Sequence, residues 1–202
     1  MHNFWPTYPS TVEGAVTTSE ILATSYEGVH TISRRDGKWV TMKVGIGNQE
    51  NPKGNRGASE VKSTIPRAAI ATIEPWHGNQ VVVYTPSAGS KLWNRHMIDD
   101  HLRWGHAVAF ADLDGAPGDE MVIGVRDNPN PKAGDAFAEK SGVRVYLSTD
   151  GTGGAWARQL VDEGGVAVED LTTADLDGDG RIDIIACGRA TKNVRIYWNQ
   201  GR

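Results

Sequence analysis

Residues 168–198, VEDLTTADLDGDGRIDIIACGRATKNVRIYW, hold an acidic loop between two runs of strand-forming residues: Asp175-x-Asp177-x-Asp179-Gly180-x-x-Asp183. Alternate carboxylates separated by glycine let one tight loop aim several oxygens at a single centre. An all-oxygen cage of that kind suits a hard cation such as Ca²⁺. An EF-hand starts similarly but needs flanking helices and a glutamate at the twelfth position. Here the ninth position, Asp183, runs directly into Ile184, Ile185 and Ala186, which read as a strand. The loop is therefore expected to bind Ca²⁺ within a β-sheet through Asp175, Asp177, Asp179 and Asp183, with the Arg181 carbonyl as a further ligand.

An imperfect copy lies upstream, HAVAFADLDGAPGDEMVIGV, from His106 to Val125. Placing Asp112 on Asp175 puts Asp114 on Asp177 and Glu120 on Asp183, but Ala116 on Asp179. With one carboxylate fewer, this second loop is expected to bind Ca²⁺ more weakly. Two copies 63 residues apart prompt a search for a repeat. Segments 20–45, 68–99 and 119–162 share one grammar: an apolar strand, a polar loop, a Val- or Tyr-rich strand, a Gly-containing turn, and a strand with a tryptophan (Trp39, Trp93, Trp156). A short strand is expected before each, near 12–17, 58–64 and 106–112, and near 169–175 in the last unit. The tryptophans, recurring at one position, read as packing between units.

Four strands per unit of roughly 40–60 residues point to an all-β chain, a β-propeller of four-stranded antiparallel blades. Four units are legible, roughly 11–45, 57–99, 105–162 and 168–198, either as one domain over 1–202 or as part of a larger propeller. The last unit shows only three strands. The aromatic segment HNFWPTYPS, 2–10, is a candidate to close the ring as its fourth, the alternative being a frayed end.

The runs ADLDGDGRIDIIA and FADLDGAPGDEMVIGV resemble the FG-GAP or VCBS repeats of calcium-binding β-propellers. In addition, GASEVKSTIPRAAIATIEPWHGNQVVVYTP (57–86) with HLRWGHAVAFADLDG (101–115) is similar to the propeller part of the aldos-2-ulose dehydratases and their bacterial relatives. Propellers of this type usually have about seven blades, and the dehydratases carry additional cupin domains, whereas only four units are legible here.

Composition narrows the partners. The 202 residues carry a formal charge of −4, and the sequence pI is about 5.8, which argues against a nucleic-acid partner. The 24 glycines and nine prolines fit a turn-rich β protein. Cys187, the one cysteine, reads as a small apolar residue in a strand. No apolar run approaches the ~20 residues that span a bilayer, and the N-terminal residues do not read as a signal peptide. Compartment is left open; Ca²⁺ loops of the extracellular kind would place the chain outside the cytoplasm if a leader had been removed.

Strand order sends the two acidic loops to one face of the propeller and a different set of residues to the other. At the starts of first strands stand Glu60, His101, His106, Glu169 and Asp170, with His106 level with Glu169. Loops after second strands bring Tyr26 and Glu27, then Glu74, Trp76 and His77, then Arg126 and Asp127, then Arg189 and Lys192. First strands line a propeller's central channel, so these side chains are expected to converge there. Imidazoles with carboxylates can hold Zn²⁺ or another divalent transition metal with an open position, and His106, Glu169 and Asp170 are the expected ligands. A metal so held polarises a carbonyl, and a histidine is a suitable base at neutral pH.

The resemblance to the dehydratases implies elimination of water from a keto-sugar, with His106, His101 and Glu60 as catalytic residues. Trp76, His77, Arg126 and Arg189 are then the groups that bind the sugar. Three readings stay open: a metal-assisted carbon–oxygen lyase acting on a carbohydrate, a non-catalytic Ca²⁺-stabilised propeller binding a glycan or protein, and a plain structural module. In the last two, His106 merely caps the backbone and Glu60, Glu169 and Asp170 form ordinary ion pairs with the arginines. His2, His30 and His96 read as structural or terminal. Open blade edges are also expected to favour self-association.

Overall fold

The computed structural model describes residues 2–7, 20–64, 68–102, 104–126 and 140–201. Every regular element among them is a strand. The first sheet is β1 (Phe4–Thr7), β2 (Glu20–Ser25), β3 (Gly28–Arg35) and β4 (Lys38–Gly45). The second is β5 (Val61–Ser63), β6 (Ile70–Glu74), β7 (Gln80–Thr85) and β8 (Asn94–Asp99). The third is β9 (Gly105–Ala111), β10 (Glu120–Val125), β11 (Gly142–Ser148) and β12 (Trp156–Leu160), and the last has three strands, β13 (Val168–Ala174), β14 (Asp183–Gly188) and β15 (Asn193–Tyr197). Each is an antiparallel meander. These are the blades of a β-propeller, numbered 1 to 4 below.

The second strand of a blade is covered on both faces, which explains its unbroken apolar character. Ile70–Glu74 and Glu120–Val125 are buried at every position, whereas the outer strand Trp156–Leu160 is almost wholly exposed. First strands lie against one another in succession: β1 on β5, β5 on β9, and β9 on β13. Three apolar cores fill the spaces between blades. Leu22, Val29 and Val44 meet Val61, Ile70 and Val82 between blades 1 and 2. Ile73 and Val83 meet Met121 and Ile123 between blades 2 and 3, and Val122 and Val145 meet Val168 and Ile184 between blades 3 and 4. Two glycines permit the close approach: a Cβ at Gly105 would lie 2.7 Å from Ile73, and one at Gly124 would lie 2.4 Å from Val168.

Two expectations change. Phe4–Thr7 does not complete the last blade; it pairs with Glu20–Ser25 as the innermost strand of blade 1. The strand expected over 12–17 falls outside the described residues, as does Asp127. Of the three tryptophans, Trp93 packs against the core between blades 1 and 2 and Trp156 against that between blades 2 and 3, but Trp39 is 69% exposed. An outer-strand tryptophan of one blade packs against the preceding blade, and among the described residues none precedes blade 1.

Candidate functional site

The inner strands begin at one end of the propeller axis, and two backbone irregularities there have the same form. Between β9 and β10, Ala107 pairs with Gly124 and Gly105 with Val125, so His106 is an extra residue. Between β13 and β14, Val168 pairs with Gly188 and Asp170 with Cys187, so Glu169 is extra. Bulges re-aim side chains and occur often beside functional sites. His106 and Glu169, 63 residues apart, thus stand at equivalent bulges in adjacent blades and meet. The Nδ1 of His106 lies 2.7 Å from the Glu169 carbonyl oxygen. A carbonyl only accepts, so Nδ1 carries the proton and Nε2 keeps a free lone pair. That Nε2 lies 4.0 Å from Glu169 Oε1, which is also 3.3 Å from Arg189; Arg126 lies 3.9 Å from Glu169 Oε2.

Blade 2 supplies His77 from the β6–β7 turn, where its φ of 49° holds the left-handed conformation and its N–H donates to Ser59 Oγ at 3.0 Å. The His77 ring stacks on that of His106, centroids 4.6 Å apart and planes 5° from parallel. Glu60, just before β5, is buried and accepts from the Asn3 side-chain amide. Blade 1 adds His2, whose ring lies edge-on to His77 at 4.3 Å and to Trp76 at 4.5 Å, with its Nδ1 3.4 Å from Glu60 Oε1. A ligand atom from each of His2, Glu60 and His77 falls within 4.8 Å of the others, close enough for all three to reach one divalent ion.

Burial sets the electrostatics. It pushes His77 down to about 3, with His106, His2 and Arg126 adding to the effect, and it lowers His2 and His106 as well. All three imidazoles are therefore neutral at pH 7, so the His2–Glu60 contact is polar rather than ionic. Burial also raises the Glu60 carboxyl to about 8, assisted by the charge of Asp170. Lys62, two residues further on in β5, is lowered chiefly by burial, and its Nζ sits 3.5 Å above the Trp5 ring. Glu60 Oε1, His77 Nδ1 and Glu169 Oε2 are buried yet make no hydrogen bond among the described residues. Such orphaned acceptors and lone pairs fit a cation or a hydroxyl-bearing ligand.

The cluster differs from the one expected. His106, Glu169 and Asp170 do not converge their ligand atoms; Asp170 is exposed and accepts from Leu171 N–H at 2.9 Å. At the axis, the trio with metal-ligand spacing is His2, Glu60 and His77. His101 is remote from it: it follows the outer strand β8, is 77% exposed, and lies 2.8 Å from Asp100. His106, at the start of the inner strand β9, is the one of the two that stands at the axis. Trp76 presents its ring between His2 and Tyr26, both edge-on. The sequence reads His2 as terminal, and the one signal for it is the aromatic character of the segment it opens.

The acidic loops lie between the first and second strands of blades 3 and 4. One carboxylate oxygen from each of Asp112, Asp114 and Glu120 falls within 4.8 Å of the others, and the same holds for Asp175, Asp177 and Asp183. Oxygens about 2.4 Å from a shared Ca²⁺ are at most about 4.8 Å apart, so both sets fit that ion. Their internal bonds correspond: Gly115 N–H donates to Asp112 as Gly178 N–H does to Asp175. Leu113 N–H donates to Glu120 as Leu176 N–H does to Asp183. The anchoring acids are nearly inaccessible, Glu120 at 7% and Asp183 at 2%. Asp179 stands outside the set, because its carboxylate pairs with the guanidinium of Arg181, which in turn donates to the Asn199 carbonyl.

Comparison with known sequences agrees with this architecture. The sequence model of the FG-GAP-like repeat matches residues 135–186, the stretch ending in the better-formed acidic loop. The chain is thus similar to FG-GAP-type propellers. It is also 27% identical, over 191 residues, to the aldos-2-ulose dehydratase of Phanerodontia chrysosporium; the match covers 85% of this chain and 20% of that protein. The chain thus spans about a fifth of the length of this curated relative. No helix among the described residues is long and apolar enough to cross a membrane.

Proposed function

We propose that the axial cluster is the centre of a metal-assisted carbon–oxygen lyase that removes water from a keto-sugar, and that the two acidic loops are Ca²⁺ staples on the opposite face. The observation that carries the reading is the meeting of His2, His77, His106 and Glu60 from three blades, with orphaned polar atoms on Glu60 and His77. The similarity to a protein named aldos-2-ulose dehydratase supports the substrate class.

His2, Glu60 and His77 would hold Zn²⁺ or a similar divalent ion, which when bound supplies Lewis-acid polarisation of the ketone. His106 Nε2, fixed by the Nδ1 bond to Glu169, takes the proton from the carbon next to the carbonyl and returns it to the departing hydroxyl, so that water leaves. Arg126 and Arg189 hold Glu169 in place and offer donors to sugar hydroxyls. Trp76 and Tyr26 border the site with aromatic surface suited to a sugar ring. On the other face, Ca²⁺ would relieve the repulsion between three carboxylates in a nine-residue loop.

Elemental analysis of the purified protein, with turnover of a keto-hexose followed by NMR, tests both halves. The expected result is one transition metal per chain besides calcium, lost in His77→Ala, and an unsaturated sugar product. Calcium alone, with sugar binding but no turnover, would reassign the face to a non-catalytic glycan-binding surface.

A further inference from the structure

The connectors between blades are unequal, and the long one lies beside the axial cluster. Blades 2 and 3 are joined by residues 100–104 and blades 3 and 4 by 161–167, but blades 1 and 2 by residues 46–60. Each runs from an outer strand to the next inner strand, so each finishes at the end of the axis where the cluster lies. A few residues suffice for that crossing, and loops longer than a fold needs are often binding loops. The middle of the long connector, Gln49-Glu50-Asn51-Pro52-Lys53-Gly54-Asn55-Arg56, holds amides and charges and no apolar side chain other than Pro52.

This connector is fastened to the site. Asn48 and Gly57 form a bridge that closes its base. Ala58 N–H donates to the Ser25 carbonyl at 3.0 Å, and the Gln49 side-chain amide donates to the Tyr26 carbonyl at 3.0 Å. Gly57, at a φ of 73°, lies so close to the β2–β3 turn that a Cβ there would be 2.1 Å from the Ser25 carbonyl oxygen. That approach sets Arg56 over the Tyr26 ring, its guanidinium 4.9 Å from the centroid. Tyr26 in turn lies 4.7 Å from Trp76, which meets His2 at 4.5 Å. Arg56, Tyr26 and Trp76 thus continue the line of rings outward from the metal-ligand trio. The Tyr26 hydroxyl and the Trp76 indole N–H make no hydrogen bond among the described residues, and neither is sealed from solvent. Arg56 donates from Nη1 to the Pro52 carbonyl at 2.9 Å, and its Nε and Nη2 are unbonded among the described residues.

We infer that Arg56, Tyr26 and Trp76 form an outer subsite for a second sugar ring, so that the keto-sugar taken at the axis is the end unit of a disaccharide or longer glycan. The inference rests on the carbohydrate reading of the axial cluster and narrows its substrate class. Aromatic surface edged by a few fixed polar groups is the usual makeup of a small-ligand site. A sugar ring matches it, with apolar C–H faces and hydroxyl oxygens that accept from the guanidinium, the indole and the phenol. Binding energy from such a second ring, remote from the reacting carbon, can be expressed in turnover of the first.

The probes are D-fructose and the glucosyl-fructoses turanose, maltulose and isomaltulose, which present the second ring through different linkages. Binding is followed by NMR titration of the protein as purified, and turnover in the same samples. At least one disaccharide should bind roughly 10-fold or more tightly than fructose, about the worth of one hydrogen bond to a charged group. Arg56→Ala should remove that gain, as should Arg56→Gln, while fructose binding and Tm hold. Lys53→Ala, on the same connector, should keep it. Equal affinity for all the sugars, binding of none, or a gain that survives both Arg56 variants overturns the inference. A gain that depends on Arg56 without any turnover keeps the outer subsite and overturns the lyase reading instead.

Discussion

The two faces of this propeller reach their chemistry by opposite routes. Each acidic loop draws its carboxylates from nine consecutive residues, with backbone N–H groups of the same loop holding the side chains in place. The axial cluster draws on His2, Glu60, His77, His106 and Glu169, whose positions are shared among all four blades. The first kind of site survives as long as one turn folds. The second depends on four blades keeping their angular spacing, so a change in any interface should disturb it. Local sites tolerate being moved along the chain; assembled ones do not.

Breaking the axial side should have the largest effect. His106→Ala removes the base we propose while leaving His2, Glu60 and His77 intact, and turnover of a keto-sugar should fall by about 10²–10⁴-fold. Metal analysis of the same protein should show calcium and transition-metal content unchanged. Full activity in this variant would separate the cluster from any catalysis and leave it a binding or structural feature.

The loop side should respond in stability rather than rate. Asp183 accepts from both Leu176 N–H and Asn199 N–H, and it is buried. Asp183→Ala orphans those donors and should lower stability by about 1–3 kcal/mol even without calcium, with a further loss of Ca²⁺ affinity by calorimetry. The axial metal should stay. If it leaves too, the two faces are coupled and the contrast drawn above fails.

Acid should sharpen the comparison. Burial lowers the pKa of His2, His77 and His106 below the free-histidine range, so the folded state binds fewer protons than the unfolded chain. Their contribution to stability is complete above about pH 6.5 and declines as pH falls toward the folded values. Glu60, raised to about 8, gains stability over the same fall in pH and offsets part of this loss, so the test is a difference: chelator-treated protein should lose more Tm between pH 7 and pH 5 than a His77→Gln variant does. Equal losses in the two proteins would mean that the His77 ring is not packed neutral against its neighbours.

The smallest effect is expected at Asp179. Spacing alone makes it a Ca²⁺ ligand, but the fold turns it to Arg181. Asp179→Ala should change stability within about 0.5 kcal/mol, as for other exposed surface positions, and leave Ca²⁺ affinity nearly unaltered. An affinity loss matching that of Asp177→Ala would restore Asp179 to the ligand set.

Much was legible without coordinates because it is periodic or local. Strand-forming runs punctuated by glycine, tryptophans at matching places and two acidic loops 63 residues apart determine an all-β chain of repeated blades. The grouping of Asp112 with Glu120 and of Asp175 with Asp183 follows from loop length, since nine residues cannot separate their carboxylates far. Even the equivalence of His106 and Glu169 is present in the 63-residue offset. What the linear order does not contain is the angle at which one blade meets the next. That angle, set by side chains such as Ile73 against Gly105 and Val168 against Gly124, decides which first strands share the axis. It brought His2 to Glu60 and His77, left His101 at the rim, and paired Phe4–Thr7 with the first blade. Each of these rests on contacts between residues tens of positions apart, which packing in three dimensions determines and no local pattern records.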